Sequence, residues 1–197
     1  MSDKISELEK EIELQINILK EQLLENVNNE AKHINKLQKN LQFIEWVNRK
    51  FRISIGGRKY TVAQKEIYNC DLGINIGSEQ SEYRPVVVLQ NNFGNKSGNT
   101  TIIAPITSHE KSVKYDQDKK KYYIEVTCKD GTSRIKYLDY YEVPIAIETG
   151  YKQQINGFVN VAHIKEIDRK RICSTKLAII TNECFKDIRS AISKNLR

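Results

Sequence analysis

The chain has 197 residues, 39% of them apolar and 29% charged, enough for one domain with a real core plus an appendage. No long apolar run is present, so a membrane-spanning protein is not expected, and the polar start "MSDKISELEKEIE" lacks the apolar core of a secretion signal, so the expected location is cytoplasmic. The net charge is +7, but residues 1–50 hold 8 Lys/Arg against 9 Asp/Glu and the remainder holds 24 against 16. The basic three-quarters points to a polyanionic partner, nucleic acid first, or to a lysine-rich solvated surface.

From residue 3 to about 48 the sequence reads as helix. Ile5, Leu8, Ile12, Ile16, Leu19, Leu23, Val27, Ile34, Leu37, Leu41 and Ile44 recur at three- and four-residue steps, with no Pro or Gly among them. The recurrence Val27, Ile34, Leu41 resembles a coiled-coil seam. The Asn-rich "ENVNNEAK" at 25–32 either bends the helix or turns it into a hairpin. Such a stripe needs a partner: its own second half, the following domain or another copy of the chain. "GG" at 56–57 closes the region, giving expected domains of 1–55 and 56–197.

Beyond it the texture is short strands and turns. Strands are expected at 66–72, 85–91 and 100–107, with a turn-rich loop at 91–99. A hairpin follows from 120–127 through the "KDG" turn at 129–131 to 133–143, and another strand runs over 157–167. An amphipathic helix covers 181–196, capped by Thr181 or Asn182, with Phe185, Ile188 and Ile192 on one face. Several short strands and a terminal helix describe an α+β fold, a small β-barrel or sandwich.

Two kinds of site are disfavoured. Cys70, Cys128, Cys173 and Cys184 form no CxxC pair and read as buried or half-buried thiols rather than zinc ligands or disulfides. His33, His109 and His163 make no HxxxH or HExxH spacing, so no metal or other cofactor is expected.

One string carries more. Residues 66–108, "EIYNCDLGINIGSEQSEYRPVVVLQNNFGNKSGNTTIIAPITS", hold in order an acidic-Ile-Tyr opening, Gly-Ser-Glu-Gln, Arg-Pro-Val-Val-Val-x-Gln-Asn and Ala-Pro-Ile-Thr. Later, "VNVAHIKEIDRKRI" at 159–172 looks like a strand ending in Ile-Asp-x-x-Arg. With the terminal helix, these motifs resemble the MazF/PemK family of toxin endoribonucleases of type II toxin–antitoxin systems, over most of 62–197. The resemblance implies an SH3-like small β-barrel with a C-terminal helix, here preceded by a long helical extension that the short family members lack. It implies a dimer or higher homo-oligomer, no cofactor, a cognate antitoxin as partner, and metal-independent cleavage of single-stranded RNA such as mRNA.

The resemblance also sets expectations residue by residue. Arg84 and Thr107 would face each other in the RNA groove as catalytic groups. The substrate's own 2′-hydroxyl would attack, leaving a 2′,3′-cyclic phosphate and a 5′-hydroxyl, while a guanidinium's permanent charge and forked donors suit the crowded phosphate oxygens. Ser78, Glu79 and Gln80 would gate the groove and read bases, and Tyr83 would stack one. The sequence departs from the family in three places. Lys65 stands where a glycine is usual, His163-Ile164-Lys165 replaces Gln-Ile-Arg, and the tyrosine- and lysine-rich 110–156 is longer than usual. His163 and Lys165 are expected at the groove, where His163 would alter the cut site. The alternative function is a non-catalytic RNA- or protein-binding module on the same barrel, as in its gyrase-inhibiting relatives.

Overall fold

The computed structural model describes residues 2–26, 28–56, 59–109, 112–128, 130–151 and 155–196, with the side chains of Ser2 and Asp3 left aside. Val27 of the stripe, Gly57 of the expected break and Lys129 of the expected turn lie outside the described residues. The chain divides into two compact units, Met1–Phe51 and Arg52–Arg197. No helix among the described residues is long and apolar enough to cross a membrane.

The N-terminal stretch is two helices, α1 (Ser2–Leu24) and α2 (Glu30–Gly56), not one. The Asn-rich segment explains the break. Asn29 caps α2: its side-chain oxygen accepts from Lys32 N at 3.0 Å and its carbonyl from His33 N at 2.8 Å. The last carbonyls of α1, which have no helical partner, are met by side chains of α2. Asn40 Nδ2 donates to Leu23 O at 2.7 Å, and Lys36 Nζ donates to the carbonyl and the carboxylate of Glu25, both at 3.0 Å. α2 therefore turns back across the end of α1. Among the described residues neither helix contributes a buried side chain; every described α1 side chain from Lys4 to Gln22 is exposed.

The second unit is α+β. Its strands are β1 (Glu66–Asp71), β2 (Tyr83–Val88), β3 (Thr100–Ser108), β4 (Lys114–Asp116), β5 (Lys121–Thr127), β6 (Ser133–Tyr137), β7 (Glu142–Pro144), β8 (Gly157–Asn160), β9 (Lys165–Asp168) and β10 (Ala178–Ile179). The helices are α3 (Asn92–Ser97) and α4 (Asn182–Asn195). Seven strands form a curled antiparallel sheet in the order β10-β1-β2-β3-β8-β7, with β9 also on β3, while β4-β5-β6 make a separate three-stranded meander.

β3 is the hinge of the barrel. Its first half pairs with β9, from Thr100–Asp168 to Ile103–Lys165, and its second half with β8, from Ile106–Val159 to Ser108–Gly157. The expected strand over 157–167 is thus broken by a short 3-10 turn at Val161–His163 as it crosses from one half of β3 to the other. At its start, Gly157 lets β8 lie close against β3: it has φ +134°, and a Cβ there would run into the Thr107 carbonyl. Two other expectations also change. The loop 91–99 contains α3, because Asn91 accepts from Gly94 N at 2.8 Å and caps it. The run 133–143 splits between β6 and β7, which belong to different sheets.

Alternation along the strands divides the core in two. Ile67, Val87, Ala104 and Ile106 face one side and pack with Cys184, Ile188 and Ala191 of α4, which Thr181 caps by accepting from Cys184 N at 3.2 Å. Cys70, Val86, Val88, Ile103 and Ile167 face the other side. Lys65 shows why a glycine is usual at its position: its φ is +71°, a region costly for residues with a Cβ. Here the lysine is held by Asn182 Oδ1 at 2.9 Å and Glu148 at 3.9 Å. Of the four thiols, Cys70 and Cys184 are buried and Cys128 is half-buried, but Cys173 is exposed, contrary to expectation.

Candidate functional site around Arg84

The β2–β3 ladder pairs Val88–Ile103, Val87–Ala104 and Val86–Pro105, and stops there. Continued by two residues, the same register sets Arg84 opposite Thr107. Both strands do run on, but each keeps its other neighbour: Arg84 pairs with Cys70 of β1 and Thr107 with Phe158 of β8. The sheet therefore parts between these two residues. Strand alternation puts both on the face that carries Val86, Val88 and Ile103. Lys165, two residues before Ile167 on β9, shares that face.

The loop between β1 and β2 is held mainly by its own bonds. Gly73 N donates to Asp71 Oδ1 at 2.9 Å, Glu82 N to Gly73 O at 2.6 Å, and Leu72 N to Glu82 O at 2.9 Å. Asn75 Nδ2 donates to Gln80 O at 2.7 Å, and Asn75 N to Ser81 Oγ at 3.1 Å. From outside, Arg171 Nη1 donates to Leu72 O at 3.0 Å. The loop in turn aims Arg84, whose Nε donates to Ser81 O at 2.8 Å and whose Nη1 donates to Gln80 Oε1. An arginine carries five N–H donors, so most of its fork remains for a ligand. Its cross-strand neighbour Cys70 does not offset the charge: burial, and then the nearby Cys173 thiol, push the Cys70 pKa up to about 12, leaving it neutral.

Glu79 and Gln80 of this loop and Ala162, His163, Ile164 and Lys165 line one cavity of about 200 Å³. Residues more than 80 positions apart in the chain thus meet, and Arg84 joins them through Gln80. His163 stands at the end of the 3-10 turn that Asn160 caps by accepting from Ala162 N at 3.0 Å. Ser78 is exposed near the loop tip and does not line the cavity. Tyr83 is 55% exposed but lies on the opposite face of β2 from Arg84. Its phenol is pushed above its ordinary pKa, first by desolvation.

Two motifs quoted from the sequence acquire roles that the sequence reading did not assign. Glu66 and Tyr68 of the "EIY" motif form a polar cluster: Tyr68 OH donates to Glu66 Oε2 at 2.5 Å, Ala63 N donates to the same oxygen at 2.8 Å, and Lys176 pairs with Oε1 at 3.1 Å. In "DRKRI", Arg169 donates to Asn95 O at 3.0 Å and Gly98 O at 2.7 Å, so with Arg171 it satisfies loop carbonyls. The long segment 110–156 supplies a second, larger cavity of about 710 Å³ between the meander and α4. Its lysines, Lys120, Lys121 and Lys194, are matched by Asp139, Glu142 and Asp187, so charge gives it no preference for a polyanion.

Residues 63–196 match the family described as PemK-like, MazF-like toxin of type II toxin-antitoxin system. The chain is 26% identical over 135 residues to Endoribonuclease MazF of Staphylococcus epidermidis, covering 68% of this chain and 91% of that protein. It is 26% identical over 131 residues to Endoribonuclease MazF of Staphylococcus saprophyticus, covering 66% and 88%. Among solved structures, MazF (Form-I) from Deinococcus radiodurans aligns with a TM-score of 0.49 at 18% identity, over 70% of this chain and 97% of that one. An endoribonuclease in complex with its cognate antitoxin from Mycobacterial species aligns with a TM-score of 0.44 at 16% identity, over 68% and 94%.

Proposed function

The chain belongs to the PemK-like, MazF-like toxin family of type II toxin–antitoxin systems, and on that premise we propose that it is a cytoplasmic, metal-independent endoribonuclease that cuts single-stranded RNA beside Arg84 and Thr107. The observation that carries the reading is the parting of β2 and β3 with an arginine and a threonine at register-matched positions on one face. The 2′-hydroxyl of the substrate attacks the adjacent phosphorus, a P–O bond forms, and the bond to the 5′-oxygen breaks. The products are a 2′,3′-cyclic phosphate and a 5′-hydroxyl end. Negative charge gathers on the non-bridging oxygens. Arg84 neutralises it with donors already oriented by Gln80 and Ser81, and the Thr107 hydroxyl donates one more bond.

Glu79 and His163, the titratable groups other than Lys165 lining the 200 Å³ cavity, are the proton acceptors and donors at hand for the attacking and leaving oxygens. Lys165 attracts the RNA backbone. Gln80 and Glu79 offer polar edges to unpaired bases and Ser78 contacts the strand outside the cavity, while Tyr83 offers a stacking surface on the other face of β2. A cognate antitoxin silences the protein by covering this face.

The test is incubation of the full chain with a long RNA in EDTA, with the new 5′ ends mapped. Cleavage at a short recurrent sequence is expected. Arg84→Ala should lower the rate by about 10²–10³-fold, the scale of losing one preorganised donor to a charged transition state. Thr107→Ala should lower it less. Wild-type cleavage by Arg84→Ala would refute the assignment. RNA binding without cleavage by the unaltered chain would turn the reading toward a binding module.

A further inference from the structure

The side of Thr107 away from Arg84 is built as well. Thr107 pairs with Phe158 of β8, and directly opposite residues of an antiparallel ladder share a face, with Cβ atoms about 5 Å apart. Phe158 therefore stands beside Thr107 on the groove face, yet it is only 2% exposed. Ile124 of β5 and Leu138 cover it, with Val113 and Val126 packed against them. The β4–β6 meander thus lies across the face that carries Thr107 and walls it on the β8 side. Lys136 of β6 pairs with Ile124, so it shares the meander face turned toward Phe158. Its Nζ lies 5.2 Å from the centre of the Phe158 ring and 2.8 Å from Glu142 Oε1. Glu142 of β7 sits opposite Asn160, two residues from Phe158, so its carboxylate rises from the same face. Its other oxygen accepts from Asp139 N at 3.0 Å. The two partners differ in access: the Glu142 side chain is 6% exposed and that of Lys136 44%. The carboxylate is a tether from behind. The ammonium in front has three donors and gives one to the tether.

We propose, on the premise that RNA is cut beside Arg84 and Thr107, that Lys136 holds a backbone phosphate adjoining the scissile one, so that the meander fixes where the strand lies as it crosses β8. Three cations flank Thr107 on one face. Arg84 stands across the parted ladder, Lys136 over Phe158, and Lys165 opposite Ile103 farther along β3. A single strand with one negative charge per nucleotide is the ligand that meets all three. Lys136 comes from the long segment 110–156, so this contact depends on a part of the chain outside the motifs that hold Arg84 and Thr107.

Binding of the full chain to a mixed-sequence, single-stranded 2′-O-methyl RNA, which has no free 2′-hydroxyl to attack, tests this. Lys136→Gln should lower the slope of log affinity against log salt by about 0.7, the share of one phosphate contact on a single strand. Glutamine can still donate to Glu142, so the meander keeps its fastening. In cleavage of unmodified RNA the same variant should raise KM and leave kcat near wild type, because the contact is made alike to substrate and transition state. Lys136→Arg should restore the slope. Lys114 is the comparison: it lies on the opposite face of the meander and is also tied to a carboxylate, Glu125 Oε1 at 2.6 Å. Lys114→Gln should change neither slope nor KM. Glu142→Gln removes the tether's charge but not the lysine, so it should not lower the slope. A wild-type slope for Lys136→Gln, with RNA still bound and cut, overturns the proposal and leaves Lys136–Glu142 as a fastening of the meander alone. An equal loss at Lys114→Gln overturns it in favour of net charge, and an equal loss at Glu142→Gln in favour of a role in the fold. An unsubstituted chain that neither binds nor cuts RNA removes the premise, and the proposal with it.

Discussion

The barrel and the helical unit use their aliphatic residues in opposite ways. In the barrel, Ile67, Val86, Val87, Val88, Ile103, Ile180 and Ile188 are fully buried. In the helices, Ile5, Leu8, Ile12 and Ile16 are each more than half exposed. The barrel closes on itself because each strand shows one side chain to each of two cores, and β3 serves three neighbouring strands. A helix has one stripe and nothing of its own to lay against it. Most helical stability in proteins comes from packing an apolar face, and among the described residues neither α1 nor α2 buries a side chain. One chain thus holds a unit with two closed cores and a unit whose aliphatic stripe stays at the surface.

Four measurements would sharpen or break that contrast. The largest effect belongs to Gly157→Ala, which sets a Cβ against the Thr107 backbone at φ +134°. A loss of about 3 kcal/mol or more in barrel stability is expected in denaturant titration. A wild-type midpoint would show that β8 does not need to press so close to β3. Next comes Ile188→Ala on α4, fully buried in the first core, with an expected cost of about 2–4 kcal/mol.

The third is alkaline. The Cys70 thiol is raised to about 12 in the fold, so the unfolded chain gives up that proton first as pH rises. Stability is therefore intact below the thiol's ordinary value of 9 and falls above it, by at most about 1.4 kcal/mol per pH unit from this group. Burial and its bond to Glu66 also raise the Tyr68 phenol, which adds a slope of the same sign at higher pH. Cys70→Ala should flatten the first part of the decline, between pH 9 and 10; an unaltered slope there would assign it elsewhere. The smallest effect is expected from Ile12→Ala, whose side chain is 60% exposed: less than about 0.5 kcal/mol on barrel unfolding. A shift near that of Ile188→Ala would erase the distinction between the two units.

Much was legible because it is local. The cap at Thr181 rests on a side chain and an amide three residues on, and periodicity reports which face of α4 is apolar whatever it packs on; the Asn-rich 25–32 marked where the N-terminal helix breaks, while the cap at Asn29 itself was not read. The order of the motifs over 66–172 was enough to identify the family and, with it, the residues to look for. The misreadings came where one apolar run serves two partners. Residues 157–167 read as a single strand because both halves are strand-like; only the bend of β3 decides that they pair with different parts of it. The loop 91–99 looked unstructured because a single capped turn leaves almost no periodic trace.

By itself, then, the sequence determined the helical and barrel segments, the family and the presence of Arg84, Thr107 and His163. It did so because propensity, capping and motif order are carried by near neighbours. Tertiary structure decided what depends on register and on contacts between distant segments. It broke the β2–β3 ladder two residues short of Arg84 and Thr107, and it brought Gln80 to His163 across 83 positions while leaving Tyr83 on the far face. A one-residue change of register would exchange the faces of every strand involved, and no local signal encodes that choice.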